Sequence, residues 1–273
     1  MIPKREPDGS LAITKQDLSA PAIEYYLTQK IQAVTLAATT TIGSNTVTLA
    51  PGHGFIDAPT ASDHNYFLEI KYVDATDPES PIVRLLQSEV RDVVGNVLTL
   101  SKPFGTAMSP THVESAYRTN ANLALAVGSP AAPVRFSVSP PDGLSFDIIR
   151  YITSCIMTAA GDDAKFASGS PLQFGLVFGH EDTEGTTYGF VIRDNTDLRI
   201  TGFDMAYVTR SGGGGRYGMA ARETTNGDDK SGVVIRIDGA KNGEFFVRVQ
   251  DNITAVTGLV YMAIKVDGHI VTP

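Results

Sequence analysis

Short runs of alternating apolar and polar residues, separated by turn-forming residues, recur along the chain and restrict its fold more than any other feature. Alternation with a period of two is typical of strands with one buried face. The 26 Gly and 15 Pro residues are spread along all 273 positions, and this density of turn formers suits many short strands better than long helices. The sequence therefore predicts a mostly β protein.

The alternating runs fall into two groups, which predicts two β domains. Residues 34–119 hold about five runs with no helical segment between them, which favours a small antiparallel β-barrel or sandwich. Residues 134–273 hold about eight or nine runs, each followed by a turn signal, which favours a larger, jelly-roll-like β-sandwich. Residues 120–133 are rich in Ala, Gly and Pro, and we interpret them as a linker.

Residues 1–33 differ from the rest and predict a docking arm followed by a short helix. The first ten residues are polar, with Pro3 and Pro7, and indicate an extended arm. A helix start is expected near Thr14 or at Ser19–Pro21, because apolar residues follow at helical spacing. We expect six apolar side chains to dock on a neighbouring subunit, with a helix folded back on its own chain as the alternative: Ile2, Leu11, Ile13, Ile23, Tyr26 and Leu27.

Composition argues against several classes of function. The formal net charge is −8 and the 22 basic residues are scattered, whereas a nucleic-acid binder needs clustered Lys and Arg. The single cysteine, Cys155, excludes an intrachain disulfide and a cysteine zinc cluster, and its apolar neighbours predict a buried, inert thiol. We also expect no membrane insertion and no signal peptide, because no apolar run approaches ~20 residues and the start lacks an apolar core.

No pattern in the sequence predicts a catalytic, cofactor or metal site. The five histidines never lie two or four residues apart, which is the spacing that would place two metal ligands on one face. His53 stands between Gly52 and Gly54, which indicates a tight turn. The adjacent pairs Asp162–Asp163 and Asp228–Asp229 lie in Gly-rich segments, where Asp is favoured by turns.

Two further patterns could bind a ligand but have simpler interpretations. The glycines of Ser211–Gly215 precede an alternating run rather than a helix, which indicates a hairpin tip and not a phosphate loop. The chain has no Trp, and strand packing is the default role of its tyrosines. Five of them could still stack on a sugar: Tyr117, Tyr188, Tyr207, Tyr217 and Tyr261.

Several phrases of the sequence resemble accessory structural proteins of tailed bacteriophages. The strand-then-turn phrase Thr46–Phe55 and the hairpin phrase Val94–Phe104 are similar to those of tail-fibre, baseplate and collar domains. In the second half, Gly232–Gly239, Val247–Thr254 and Gly268–Val271 look like segments of phage virion proteins. Together these phrases touch both predicted domains and cover about a fifth of the chain.

The resemblance implies a virion component at the neck, collar, tail fibre or baseplate. Such a protein would assemble in the host cytoplasm as a homo-oligomer and contact other virion proteins. Two alternatives stay open. One is a receptor- or glycan-binding module, with its ligand at the tyrosines or at loops 158–170 and 209–216. The other is a glycan hydrolase that uses Asp162, Asp163, Asp228 or Asp229.

Overall fold

The computed structural model describes residues 22–56, 66–74, 82–157, 172–192, 207–211, 216–224 and 235–271. In these parts of the chain the fold is mostly β, as the alternating runs predict. The strands are β1 (Ala22–Tyr26), β2 (Gln29–Ala33), β3 (Thr46–Thr48), β4 (Tyr66–Asp74), β5 (Ile82–Val94), β6 (Val97–Leu100), β7 (Val113–Asn120), β8 (Val134–Val138), β9 (Ser145–Met157), β10 (Leu176–Asp182), β11 (Gly185–Ile192), β12 (Tyr207–Ser211), β13 (Arg216–Thr224), β14 (Ile235–Asp238), β15 (Glu244–Val249) and β16 (Leu259–Val271).

Short 3-10 turns are the only helical elements among the described residues. They lie at Pro110–His112, Leu123–Leu125, Gly239–Lys241 and Ile253–Ala255. Accordingly, none of the helices in the described ranges has the length and apolar character needed to cross a membrane.

The first half of the chain forms a six-stranded antiparallel sheet in the order β2-β7-β4-β5-β6-β3. The predicted hairpin is confirmed, since β5 and β6 pair up to Val94 and Val97 around a turn at Gly95–Asn96. The sheet does not close into a barrel, so the barrel alternative is wrong. One isolated bridge between Leu36 and Leu49 links the segments that follow β2 and β3.

The second half forms two antiparallel sheets around a common apolar core, which supports a sandwich-like architecture. One sheet has the order β1-β16-β9-β13-β12, with β14 also paired to β9, and the other has the order β11-β10-β15-β8. Tyr151 of β9 packs against Phe178 of β10, with ring centroids 5.1 Å apart. The fully buried Phe136, Phe146 and Phe245 belong to the same core.

The short helix predicted to follow a start at Ser19–Pro21 is wrong, because residues 22–33 form β1 and β2 instead. Five residues of β1 pair with β16, from Ala22 opposite His269 to Tyr26 opposite Lys265. Thr28 then bridges Ser137 of β8, and β2 pairs with β7 of the first sheet. Residues 22–33, which we call the tie segment, therefore contact all three sheets. The other predicted helix start, near Thr14, lies outside the described residues.

The buried apolar residues form two clusters, and the tie segment contributes to one of them. One contains residues from Leu36 to Ala116, and the other contains Ile23, Leu27 and residues from Leu123 to Val266. Leu123 is fully buried in the second cluster, although it lies within residues 120–133. The division into domains at 34–119 and 134–273 stays a prediction.

Candidate functional site

The outer face of the four-stranded sheet carries an unusual concentration of arginine and aromatic side chains. The side chains of Phe136, Phe245 and Val247 point into the core. Their neighbours therefore point to the opposite side of the sheet. We call this set the Arg–aromatic face: Arg135, Gly179, Tyr188, Phe246 and Arg248.

Arg135 is fixed on this face by one ring and two carboxylates. Its guanidinium lies 3.9 Å from the ring centroid of Phe246. The two Nη atoms contact Glu181 at 2.8 Å and Glu244 at 2.6 Å. A guanidinium that stacks on a ring and uses both arms of its fork is held in one orientation, so Arg135 acts as a cover for Phe246, which is only 1% exposed.

Gly179 provides the space under the Phe246 ring. It is the register partner of both Tyr188 and Phe246, next to an irregularity in the pairing of β10 with β11. A Cβ atom at this position would lie 2.8 Å from Cζ of Phe246 and 2.6 Å from the carbonyl oxygen of Thr187. Any side chain here would displace the ring or the neighbouring strand.

Tyr188 and Arg248 form the exposed corner of the Arg–aromatic face. Tyr188 is 53% exposed, and its ring meets Phe246 edge-on with centroids 6.2 Å apart. The Arg248 guanidinium lies 5.2 Å from the Tyr188 ring centroid and donates from Nη1 to the phenol oxygen at 3.2 Å. Among the described residues no carboxylate forms an ion pair with Arg248. This corner therefore combines an accessible ring with a guanidinium that no carboxylate of the described residues neutralises.

The sequence-predicted docking residues are separated by the structure. Ile2, Leu11 and Ile13 lie outside the described residues. Ile23 is 3% exposed and Leu27 is fully buried, both within this chain's own core. This core explains the burial of Ile23 and Leu27 without a partner, so any docking contact has to come from other residues.

Tyr26, the sixth of these residues, joins the tie segment to the first sheet. Its ring lies 5.2 Å from that of Phe67. Its backbone N–H donates to Oε1 of Gln87 at 2.7 Å, and its carbonyl oxygen accepts from Nε2 of Gln87 at 2.9 Å. The Gln87 side-chain amide thus bonds to both backbone polar groups of Tyr26 and links the two halves of the chain.

A buried carboxylate completes this junction. Glu69 of β4 is 5% exposed, and its Oε2 accepts from Oγ1 of Thr28 at 3.0 Å and from Nε2 of Gln87 at 3.3 Å. Thr28 is 1% exposed and Gln87 is 4% exposed. Buried polar groups that satisfy one another fix a single geometry. The sequence carried one signal for this junction, since polar Glu69 interrupts the apolar start of β4.

Tyr25 and Lys71 add three further hydrogen bonds between the halves. The Tyr25 hydroxyl donates to the carbonyl oxygen of Leu85 at 3.1 Å. Burial, followed by the nearby Tyr72 and Glu69, raises the pKa of Tyr25 to about 12. Lys71 donates to Ser139 at 3.1 Å and to the carbonyl oxygen of Pro140 at 3.0 Å, and burial lowers its pKa.

The candidates for chemistry give no catalytic constellation in the described ranges. Asp162, Asp163, Asp228 and Asp229 lie outside them. Elsewhere, in the ranges that the structure does describe, no three His, Cys, Asp or Glu side chains are grouped so as to hold a metal ion.

Two of the simpler interpretations are confirmed. His53 directly follows the turn at Pro51–Gly52 and lies between glycines with φ of +86° and +72°, and Nε2 of its ring donates to the carbonyl oxygen of Gly95 at 3.1 Å. Cys155 is buried, and burial raises the pKa of its thiol to about 12. A thiol with so high a pKa is a poor nucleophile at neutral pH.

Asp251 was not singled out by the sequence, yet its carboxylate organises a loop. It is 7% exposed and accepts from the backbone N–H groups of Gln173, Phe174 and Gly175 at 2.9, 3.0 and 2.7 Å. Three such bonds to one carboxylate hold the chain entering β10 against the end of β15. Its role is therefore structural.

Comparison of the chain with protein-family models, curated proteins and solved structures finds no match.

Proposed function

We propose that this chain is a structural component of a tailed-phage particle, at the neck, collar, tail fibre or baseplate. It would assemble in the host cytoplasm as a homo-oligomer, with a jelly-roll-like sandwich as its second half, and would need no cofactor. Residues 1–21 would contact a neighbouring virion protein through Ile2, Leu11 and Ile13.

The tie segment is the observation that carries this proposal. The described part of the chain begins at Ala22, on β1, which lies at the end of its sheet in the order of the described strands. From there residues 22–33 pair in turn with β16, β8 and β7. A pull on residues 1–21 would thus be transmitted to backbone hydrogen bonds of all three sheets at once. Such an anchorage suits a terminal segment that bears load between subunits.

The particle resemblance and the composition add support. The phrases Thr46–Phe55 and Val94–Phe104, which resemble phage structural domains, coincide with β3 and its turn and with the β5–β6 hairpin. A stable fold made without disulfides suits assembly in a reducing cytoplasm.

The test compares two variants in cells that produce particles from the genome carrying this gene. One variant lacks residues 1–21, and its matched partner keeps the full length but replaces Ile2, Leu11 and Ile13 by Ser. Both should remain folded by far-UV circular dichroism, because the tie segment is intact, and both should be missing from purified particles.

Localisation decides the broader proposal. Immunogold labelling of wild-type particles should mark the neck, the tail or the baseplate. A protein that stays in the cleared lysate while unlabelled particles form would refute a virion role. Normal incorporation of both variants would refute docking through residues 1–21 alone.

A glycan-binding module of a tail fibre is the second candidate. The exposed Tyr188 ring beside Arg248 favours it, because an accessible aromatic with a nearby polar group is a common way to hold a sugar. Glycan-array binding that falls on substitution of Tyr188 by Ala would support it, and a blank array would count against it.

A further inference from the structure

We infer that the corner formed by Arg248 and Tyr188 binds a carboxylate-bearing sugar of an acidic polysaccharide. This inference rests on the second candidate function, the glycan-binding module, and names its ligand class. The sugar ring would stack on Tyr188 and its carboxylate would pair with Arg248.

The ring of Tyr188 is positioned before any ligand arrives. Its edge-on contact with Phe246 and its hydrogen bond from Arg248 restrict it from two directions. Phe246 is in turn held under the Arg135 guanidinium. Because the phenol oxygen already accepts from Arg248, its own proton is available to donate to a sugar hydroxyl. Little side-chain entropy remains to be lost on binding.

The two arginines of the Arg–aromatic face differ in whether a described carboxylate neutralises their charge. Arg135 contacts two carboxylates, Glu181 and Glu244. Arg248 has one hydrogen-bond partner in the described part of the chain, the neutral Tyr188 hydroxyl. A guanidinium offers five N–H donors in a fork that matches a carboxylate. The charge at Arg248 therefore favours an anionic group close to the Tyr188 ring.

The charge pattern selects among anionic ligands. One guanidinium that pairs with no carboxylate in the described ranges, beside one ring, matches a polymer with about one charge per sugar. A nucleic acid, with its denser charge, would need a run of basic residues, and this face instead carries Glu181 and Glu244. The net charge of −8 repels an anionic ligand at this corner only weakly, because charges farther away than about 8 Å are screened at physiological salt.

The experiment measures binding of sugar oligomers to the purified full-length chain by isothermal titration calorimetry. Oligomers of galacturonate and of mannuronate are compared with neutral galactose oligomers. Galactose has the same ring as galacturonate, with a hydroxymethyl group in place of the carboxylate. The variants are Arg248→Gln, Tyr188→Ala and Tyr188→Phe. Arg91→Gln is the control, because Arg91 is an exposed arginine of the first sheet and its loss changes the net charge equally.

At least one uronate oligomer should bind, and the neutral oligomers should bind about tenfold more weakly or not at all. Arg248→Gln should remove this preference, and Tyr188→Ala should abolish binding. Tyr188→Phe should keep the preference with reduced affinity. Arg91→Gln should behave as wild type. Circular dichroism of each variant verifies folding.

Three results would overturn the inference: no uronate binding by the wild type, equal binding of acidic and neutral oligomers, or a preference that survives in Arg248→Gln. Binding of neutral oligomers that depends on Tyr188 would preserve the glycan-binding module while refuting the acidic ligand. Particle labelling is independent of all these titrations, so failure of the virion proposal is seen separately.

Discussion

Replacing Leu27 by Ala distinguishes a core role from a docking role for the tie segment. Leu27 is fully buried among side chains of this chain's own core. Leu→Ala at such a site costs about 2–5 kcal/mol, since transfer and cavity terms add. A docking residue would instead leave the stability of the isolated subunit unchanged. The control is Ile31→Ala, because Ile31 lies on the same segment but is 40% exposed.

Urea unfolding followed by far-UV circular dichroism gives the magnitude directly. With a loss of about 3 kcal/mol and a urea slope of about 2 kcal/mol/M, Leu27→Ala lowers the midpoint by about 1.5 M. Ile31→Ala should cost less than about 1 kcal/mol. Sedimentation is run in parallel to follow the mass of the assembly. Equal midpoints for the two variants, with a smaller mass for Leu27→Ala, would refute the core assignment and restore docking.

Two further predictions concern the buried polar groups. Asp251→Ala should lower the free energy of unfolding in urea by about 3 kcal/mol, because three backbone N–H groups lose their carboxylate acceptor. The control Asp182→Ala, in an exposed hairpin turn, should cost about 1 kcal/mol. Equal losses in the two variants would contradict this assignment. Tyr25 has its pKa raised from 10.0 to about 12 on folding, so its stabilisation is complete below pH 10 and is lost as the pH rises towards 12. Tyr25→Phe should therefore be less stable than wild type at pH 8, through loss of the bond to Leu85, and the difference between their urea midpoints should shrink at pH 11; a constant difference would contradict the assignment.

The strands with clear alternation could be predicted from the sequence, but their partners could not. The run Val134–Val138 is β8 as predicted, and Phe146–Met157 differs from β9 by one residue. Alternation identifies the face that is buried, whereas sheet order depends on contacts between distant residues. Residues of β9 pair with β13, β14 and β16, and no local pattern specifies three partners.

The error over residues 23–31 has a specific cause. Ile23 and Leu27 are four positions apart, and a separation of four fits both a helix and a strand. Tyr25 and Tyr26 are the residues that discriminate. Tyr25 is partly buried and stacks on Phe146 of the core that contains Ile23 and Leu27, so the core-facing positions are 23, 25 and 27, which is the period of a strand.

The candidate site was predictable only as a set of residue types. Tyr188 could be named as a sugar-stacking candidate from the sequence. Arg248 could not, because it lies 60 positions away and reaches Tyr188 only through the order β11-β10-β15. The role of Gly179 could not be predicted either, because it depends on the ring of Phe246 on the neighbouring strand β15 of the sheet.

The tie segment changes how the N-terminal arm has to be tested. Because the sequence predicts a docking arm over residues 1–33 and β domains from residue 34 onward, deletion of residues 1–33 would be expected to leave a folded β protein. That deletion would remove β1 and β2, and with them the buried side chains of Ile23 and Leu27 and the Thr28 partner of Glu69. Burial of an Ile and a Leu contributes about 1.5–3 kcal/mol each, which is a large part of the 5–15 kcal/mol typical of a protein.

A protein missing from particles after that larger deletion could have failed to fold rather than failed to dock. Removal of residues 1–21 avoids this ambiguity, because every hydrogen bond that the tie segment makes to β16, β8 and β7 remains. The two deletions together separate the contributions. A variant that is missing from particles but keeps the wild-type urea midpoint shows that residues 1–21 dock. A lowered urea midpoint shows that residues 22–33 stabilise the fold.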